Sequence, residues 1–266
     1  MGNKAYCCNP INMILFITGI IIGAVGTLAG IGGGIFIVPI LFSVYHFSPQ
    51  LAIGTSLFVV VFNAFSGTIA YARYKRIYWR LGAIIIISGI PGMLIGAYVS
   101  TFFTGLAFRI VFACVLVLAA IHLLLKRNKS LEDIKTCTPI GFSRAMMIMI
   151  VSIGFITGFI ASLLGIGGGI IHVPVLIHLL KIPVHIATAT SHFILFSTVL
   201  LSVIPHTVWG HIDYTRGLLM GGGALIGAQI GAYISFRVRS RVILIILACV
   251  LLAAALKMLF SAVAVP

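Results

Sequence analysis

Residues Leu28–Pro39 read LAGIGGGIFIVP, and residues Leu163–Pro174 read LLGIGGGIIHVP. Gly165 lies 135 positions after Gly30 (165 − 30). The same ungapped offset pairs Gly19 with Gly154, Gly23 with Gly158, Ser56 with Ser191, Gly82 with Gly217 and Gly92 with Gly227. It also pairs Gly96-Ala97-Tyr98 with Gly231-Ala232-Tyr233. Composition bias does not hold one register over so long a span, so the chain is read as two copies of one unit.

Outward from these two stretches the chain is almost uniformly apolar. Its 266 residues are 61% hydrophobic and only 8% charged, with a mean hydropathy of +1.26. A soluble domain carries about a quarter charged residues. The apolar runs between the charges reach about 18 residues or more, enough for a helix to cross a hydrocarbon core of about 30 Å. The expectation is an all-α polytopic membrane protein. Each copy holds a segment a with the glycine run (12–46 and 146–180), then single helices b (50–72 and 185–209), c (81–101 and 216–236) and d (105–125 and 242–262). The domains are therefore repeat 1 at 1–125, a linker at 126–144 and repeat 2 at 145–266. The N-terminal apolar stretch belongs to the first repeat and is not read as a signal peptide.

There are 17 Lys and Arg against 3 Asp and Glu, a formal net charge of +14. In an apolar chain such residues fix membrane orientation, and no nucleic-acid partner is expected. The first b–c loop carries Arg73, Lys75, Arg76 and Arg80, and the linker is basic, which places both in the cytoplasm. The first c–d loop carries no Lys or Arg. In the second copy the basic loop is c–d, with Arg237, Arg239 and Arg241. The two repeats are therefore expected to be inverted across the bilayer. Segment a must enter and leave on one side, as a re-entrant hairpin or as two short full crossings.

Four of the five residues in Gly30–Gly34, and four of five in Gly165–Gly169, are glycine. Each glycine in a helix interior costs about 1 kcal/mol against alanine, so both runs should break the helix. Broken backbone within a membrane is tolerated where it is buried in protein or faces a water-filled cavity. The N–H groups of the half-helix that follows carry partial positive charge and suit an oxyanion. Pro39 and Pro174 leave the carbonyls of Ile35 and Ile170 unpaired in that first turn. Paired broken segments in inverted repeats mark transporter sites. The other reading of glycine rows is close helix packing, and Gly19, Gly23, Gly92 and Gly96 are assigned to that. No acid falls in an expected span, which disfavours a cation as cargo.

The candidate substrate-binding residues are Gly32, Gly33, Gly34, Gly167, Gly168 and Gly169, with Thr55, Ser56, Asn63, Thr190 and Ser191 from the b helices. Those hydroxyls either donate to an anion or bond their own i−4 carbonyls. His172 and His192 either titrate and couple protons or pack with one hydrogen bond. Arg109 is expected to anchor at the interface. No metal-ligand spacing, cofactor motif or catalytic acid pair is visible, so neither a cofactor nor an enzyme activity is expected. The cysteines are read as packing residues. The partners expected are the lipid bilayer and a small anion, with a homo-oligomer left open.

The doubled LAGIGGG…VP and LLGIGGG…VP runs, with four hydrophobic segments per half, closely resemble the TauE/SafE sulfite exporter family. The resemblance covers nearly the whole chain. It implies a multi-pass permease of the cell inner membrane for sulfite, sulfoacetate or a similar organosulfonate. It implies also that Gly32–Gly34 and Gly167–Gly169 are the family's glycine-run residues. His172 and His192 are not implied by it. Alternating access by rocking one repeat against the other, or a passive anion channel, would both suit such a sequence.

Overall fold

The structure, a computed structural model, describes residues 10–103, 105–125 and 143–235, together with 252, 255 and 256. Among the described residues there are nine helices and no strand. In chain order they are α1 (Pro10–Ala29), α2 (Gly34–Ser43), α3 (Pro49–Arg73), α4 (Trp79–Ser100) and α5 (Gly105–Leu125), then α6 (Arg144–Leu164), α7 (Gly169–His178), α8 (Val184–Val208) and α9 (Tyr214–Ser235). Six of them are long and apolar enough to cross a membrane. Large apolar side chains point outward from these helices, among them Ile87, Ile148, Leu94 and Val208, as lipid contact requires. Segment d of the second copy, and the linker up to residue 142, lie largely outside the described residues.

Segment a is a hairpin of unequal arms in both copies. α2 and α7 are 10 residues each, or about 15 Å of helix, half of a hydrocarbon core. That length falls short of a full crossing, while the first arm in each copy is long enough to cross, so the expected pair of short crossings is not what forms. Local chemistry sets the neighbouring boundaries. Ser48 caps α3 by accepting from the Leu51 N–H at 3.3 Å, with Pro49 in the first turn.

The copies repeat down to single backbone torsions. Among the described residues, those with positive φ form five pairs at the repeat offset: Gly30/Gly165, Gly32/Gly167, Gly33/Gly168, His46/Lys181 and Lys75/Gly210. Contacts are exchanged in the same way. The Thr55 hydroxyl accepts from the Asp213 N–H at 2.9 Å, and Thr190 accepts from the Tyr78 N–H at 3.0 Å. So the start of α3 meets the α8–α9 loop, while the start of α8 meets the α3–α4 loop. Between these ends Thr68 donates to the His192 carbonyl, and Phe65 stacks on Phe196 with ring centroids 5.5 Å apart. Numbers fall along one helix as they rise along the other, so the repeat-related helices α3 and α8 run antiparallel.

The copies are interleaved rather than side by side. A Cβ on Gly23 would collide with the Ala224 backbone, and one on Gly227 with the backbone of Ile20 and Ala24. The repeat-related contact has Gly92 and Gly96 against the backbones of Phe155 and Phe159. α1 thus packs on α9, and α6 on α4. Such close approach is open to small residues alone. Each copy's third long helix belongs, in packing, to the other copy. Cys114 departs from its expected packing role, since it faces outward from α5.

Candidate functional site

The two helix breaks meet at the centre of the molecule. Gly30–Gly34 and Gly165–Gly169 are all buried. Gly34 lies against the carbonyls of Gly165 and Ile166, and Gly169 against those of Gly30 and Ile31. Gly33 and Gly168 precede the half-helices with φ of 83° and 79°, a left-handed conformation that costs a residue with a Cβ roughly 1–2 kcal/mol. Glycine is required there for torsion as well as for space.

The ladder of backbone hydrogen bonds stops and restarts across each break. In the first copy Gly30, Ile31 and Gly32 donate back to Thr27 and Gly26, and the next such donors are Phe36 and Ile37, to Gly33. In the second, Gly165 donates to Ala161, and Ile171 and His172 donate to Gly168. The N–H groups in between, of Gly33, Gly34 and Ile35 and of Ile166, Gly167, Gly168, Gly169 and Ile170, include those a helix start leaves without ladder acceptors.

The freed carbonyls are met by side chains from α3 and α8. The Ser56 hydroxyl donates to the Gly165 carbonyl at 2.9 Å, across the copies, and the Ser191 hydroxyl to Gly30 at 3.0 Å. The Asn63 amide donates to the Gly32 carbonyl at 2.8 Å, and its oxygen accepts from Thr27 at 3.0 Å. Ser56, Asn63 and Ser191 are thus at the breaks, holding glycine carbonyls. Thr55 and Thr190 are turned to the loops described above.

The two histidines separate. His172 lies against Gly168. Its Nε2 is 3.0 Å from the Thr157 hydroxyl, which itself donates to the Ile153 carbonyl at 2.8 Å. One hydroxyl has one proton, so His172 donates from Nε2, with Nδ1 unpartnered among the described residues. His192 instead packs on Gly67 and edge-on to Tyr71, 5.3 Å between ring centroids, toward the α3–α4 end.

Several polar residues within the helices were not singled out from the sequence. The buried Tyr71 donates to the Thr27 carbonyl at 3.0 Å, and Gln229, on an exposed face of α9, donates to the Ser66 carbonyl at 2.9 Å. Ser162, Ser202 and His206 are buried, and the two serine hydroxyls have no hydrogen-bond partner among the described residues. Their signal was present: Ser162 is the repeat mate of Thr27, and His206 of Tyr71. Among the described residues no group of His, Cys, Asp or Glu could hold a metal ion. Outside the spans, burial holds the His211 imidazole below the usual histidine range, which favours its neutral form.

Comparison with known proteins shows the family of the chain. The profile of the family described as Sulfite exporter TauE/SafE matches residues 15–258. The chain belongs to the TauE/SafE family. It is 34% identical over 269 residues to the probable membrane transporter protein YunE of Bacillus subtilis, covering 94% of this chain and 98% of that one. It is 32% identical to a probable membrane transporter protein of Methanocaldococcus jannaschii, covering 76% of this chain and 71% of the relative. YjnA of Bacillus subtilis, also a probable membrane transporter protein, is 25% identical over 92% of this chain and 98% of its own. No solved structure matches the chain significantly. This TauE/SafE chain is therefore a multi-pass membrane protein of a transporter family.

Proposed function

We propose that this protein is a secondary transporter that exports a small anion, sulfite or an organosulfonate, across the cell inner membrane by alternating access between two inverted repeats. The observation that carries the reading is the pair of buried helix breaks, abutting at the centre, each presenting the N–H groups of a half-helix start. Those dipoles favour an oxyanion over a cation. The antiparallel run of α3 against α8 supports inversion of the copies. The basic residues of 126–144 support a cytoplasmic linker.

The breaks touch each other, so an ion bound between Gly32–Gly34 and Gly167–Gly169 requires them to part. Parting them would release Ser56, Ser191 and Asn63 from glycine carbonyls and turn those donors toward the ion. Interleaving sets what can move. The bodies are α1, α3 and α9 on one side and α6, α8 and α4 on the other, rather than the two halves of the sequence. His172, against Gly168, is placed to feel the ion. Thr55 and Thr190 hold loops that must stay docked as the bodies move.

The test is flux in proteoliposomes with sulfite, sulfate, thiosulfate, sulfoacetate and taurine. Saturable uptake of sulfite or sulfoacetate, competed by the other, is the expected result. Single-opening currents would make the protein a channel instead, and no flux of any of these anions would remove the proposed cargo.

A further inference from the structure

The repeat-related halves of the molecule differ in how their hydroxyls and amides are met. Toward the α3–α4 end, the hydroxyl and amide side chains near the breaks are satisfied by protein. Thr27 bonds Asn63, and Tyr71 bonds the Thr27 carbonyl. The Ser66 hydroxyl donates to the Leu225 carbonyl at 2.7 Å and accepts from Gln229 at 2.8 Å, which latches α3 to α9. Toward the α8–α9 end none of this is reproduced. The mates of Ser66, Leu225 and Gln229 are Leu201, Ile90 and Leu94. These three, with Met93, Ser202, Ile204 and Pro205, line an apolar cavity of about 120 Å³ between α4 and α8, open on the outward face where Leu94 and Ile204 are exposed.

Beside that cavity lies a cluster of unmet polar atoms. Ser162, Ser202 and His206 are each 0–1% exposed, and neither serine hydroxyl has a partner among the described residues. They are adjacent in space. His206 lies against the Ser162 backbone and is one helical turn from Ser202. His211 closes the outer side, its ring centroid 5.9 Å from that of His206. Ser162 is three residues before Gly165, in the last turn of the helix that leads into the second break. Leaving a buried polar group unmet costs about 1–3 kcal/mol, and such groups are ordinarily met by protein, water or a ligand. The donors here are hydroxyls and an imidazole. The acid of the adjoining loop, Asp213, is engaged by Arg216 at 3.1 Å.

We propose that Ser162, Ser202 and His206 form a way-station for the transported oxyanion on the α8–α9 side of the glycine breaks. The proposal rests on the reading of the protein as an anion carrier and adds a second site to it. Hydroxyls and an imidazole N–H would replace part of the ion's hydration before the breaks part. The site belongs to one half alone, because Thr27, Tyr71 and Gly67 at the mate positions are bonded or lack a polar side chain.

The experiment uses the full chain in proteoliposomes, with Cys7, Cys8, Cys114, Cys137 and Cys249 replaced by alanine and either Ser162→Cys or Ser202→Cys added. Labelling rates are compared for an anionic sulfonatoethyl methanethiosulfonate and its cationic trimethylammonium counterpart, with and without methanesulfonate. The expected result is several-fold faster labelling by the anionic reagent, slowed several-fold by methanesulfonate, with the preference lost in His206→Phe and kept in His206→Gln. No labelling at either position, or equal labelling by both reagents without protection, would overturn the proposal. The two cysteines report separately, so a variant that fails to fold leaves the other. If Gly33 and Gly168 variants transport normally while the labelling preference holds, the break site fails and the way-station stands; the converse pattern removes the way-station alone.

Discussion

Asn63 is the residue on which the first break most depends. It answers the Gly32 carbonyl and the Thr27 hydroxyl at once. Asn63→Leu would leave both unmet in a buried site, and interhelical hydrogen bonds in membranes are worth roughly 0.6–2 kcal/mol each. Its repeat mate Thr198 donates only to the Leu195 carbonyl of its own helix. Thermal unfolding in detergent should therefore show a clear loss for Asn63→Leu and little change for Thr198→Val. Equal losses would mean that the bond to Gly32 is not what holds the break. The glycine runs were legible in the sequence, because they break local rules for a helix in lipid; Asn63 stood out as an in-span amide, but its bonds to Gly32 and Thr27 were not readable. Neither were the destinations of Thr55 and Thr190. A hydroxyl at a helix start has many acceptors and donors within reach, and here the partner is a loop N–H from the other copy.

At the scale of helices, the rows of glycine separate into two physical kinds. Gly33 and Gly168 need a left-handed torsion, while Gly19, Gly23, Gly92 and Gly227 are helical and need only closeness. Within α9 the two neighbours Gly222 and Gly227 make a direct comparison. A Cβ on Gly222 would reach the Phe16 ring at an ordinary 3.6 Å, whereas one on Gly227 meets backbone of α1. Gly222→Ala should be neutral or stabilising, by up to about 1 kcal/mol of helix propensity. Gly227→Ala should lower the unfolding temperature, because backbone cannot yield as a side chain can. The same temperature for both would sink the close-packed seam between α1 and α9. Small-residue spacing showed from sequence that these faces pack. It could not show that the partner lies in the other copy, because a flat glycine face carries no address.

For the whole molecule, the offset of 135 residues made the duplication legible, and the basic loops gave the expectation of inversion. What the offset conceals is the departure from symmetry. Ser66 and Gln229 latch one seam, while Leu201 and Leu94 leave a cavity at the other, and His206 stands where the first copy has Tyr71. A repeat alignment treats such pairs as noise, yet under the proposed alternating access they would decide which side is held shut. The central claim is that the two breaks form the oxyanion site. Radiolabelled sulfite flux into proteoliposomes tests it, comparing the unaltered chain with Gly33→Leu and Gly168→Leu variants that insert and elute as the parent does. The account predicts saturable flux for the parent and background flux for both variants, and parent-like flux in both would contradict it.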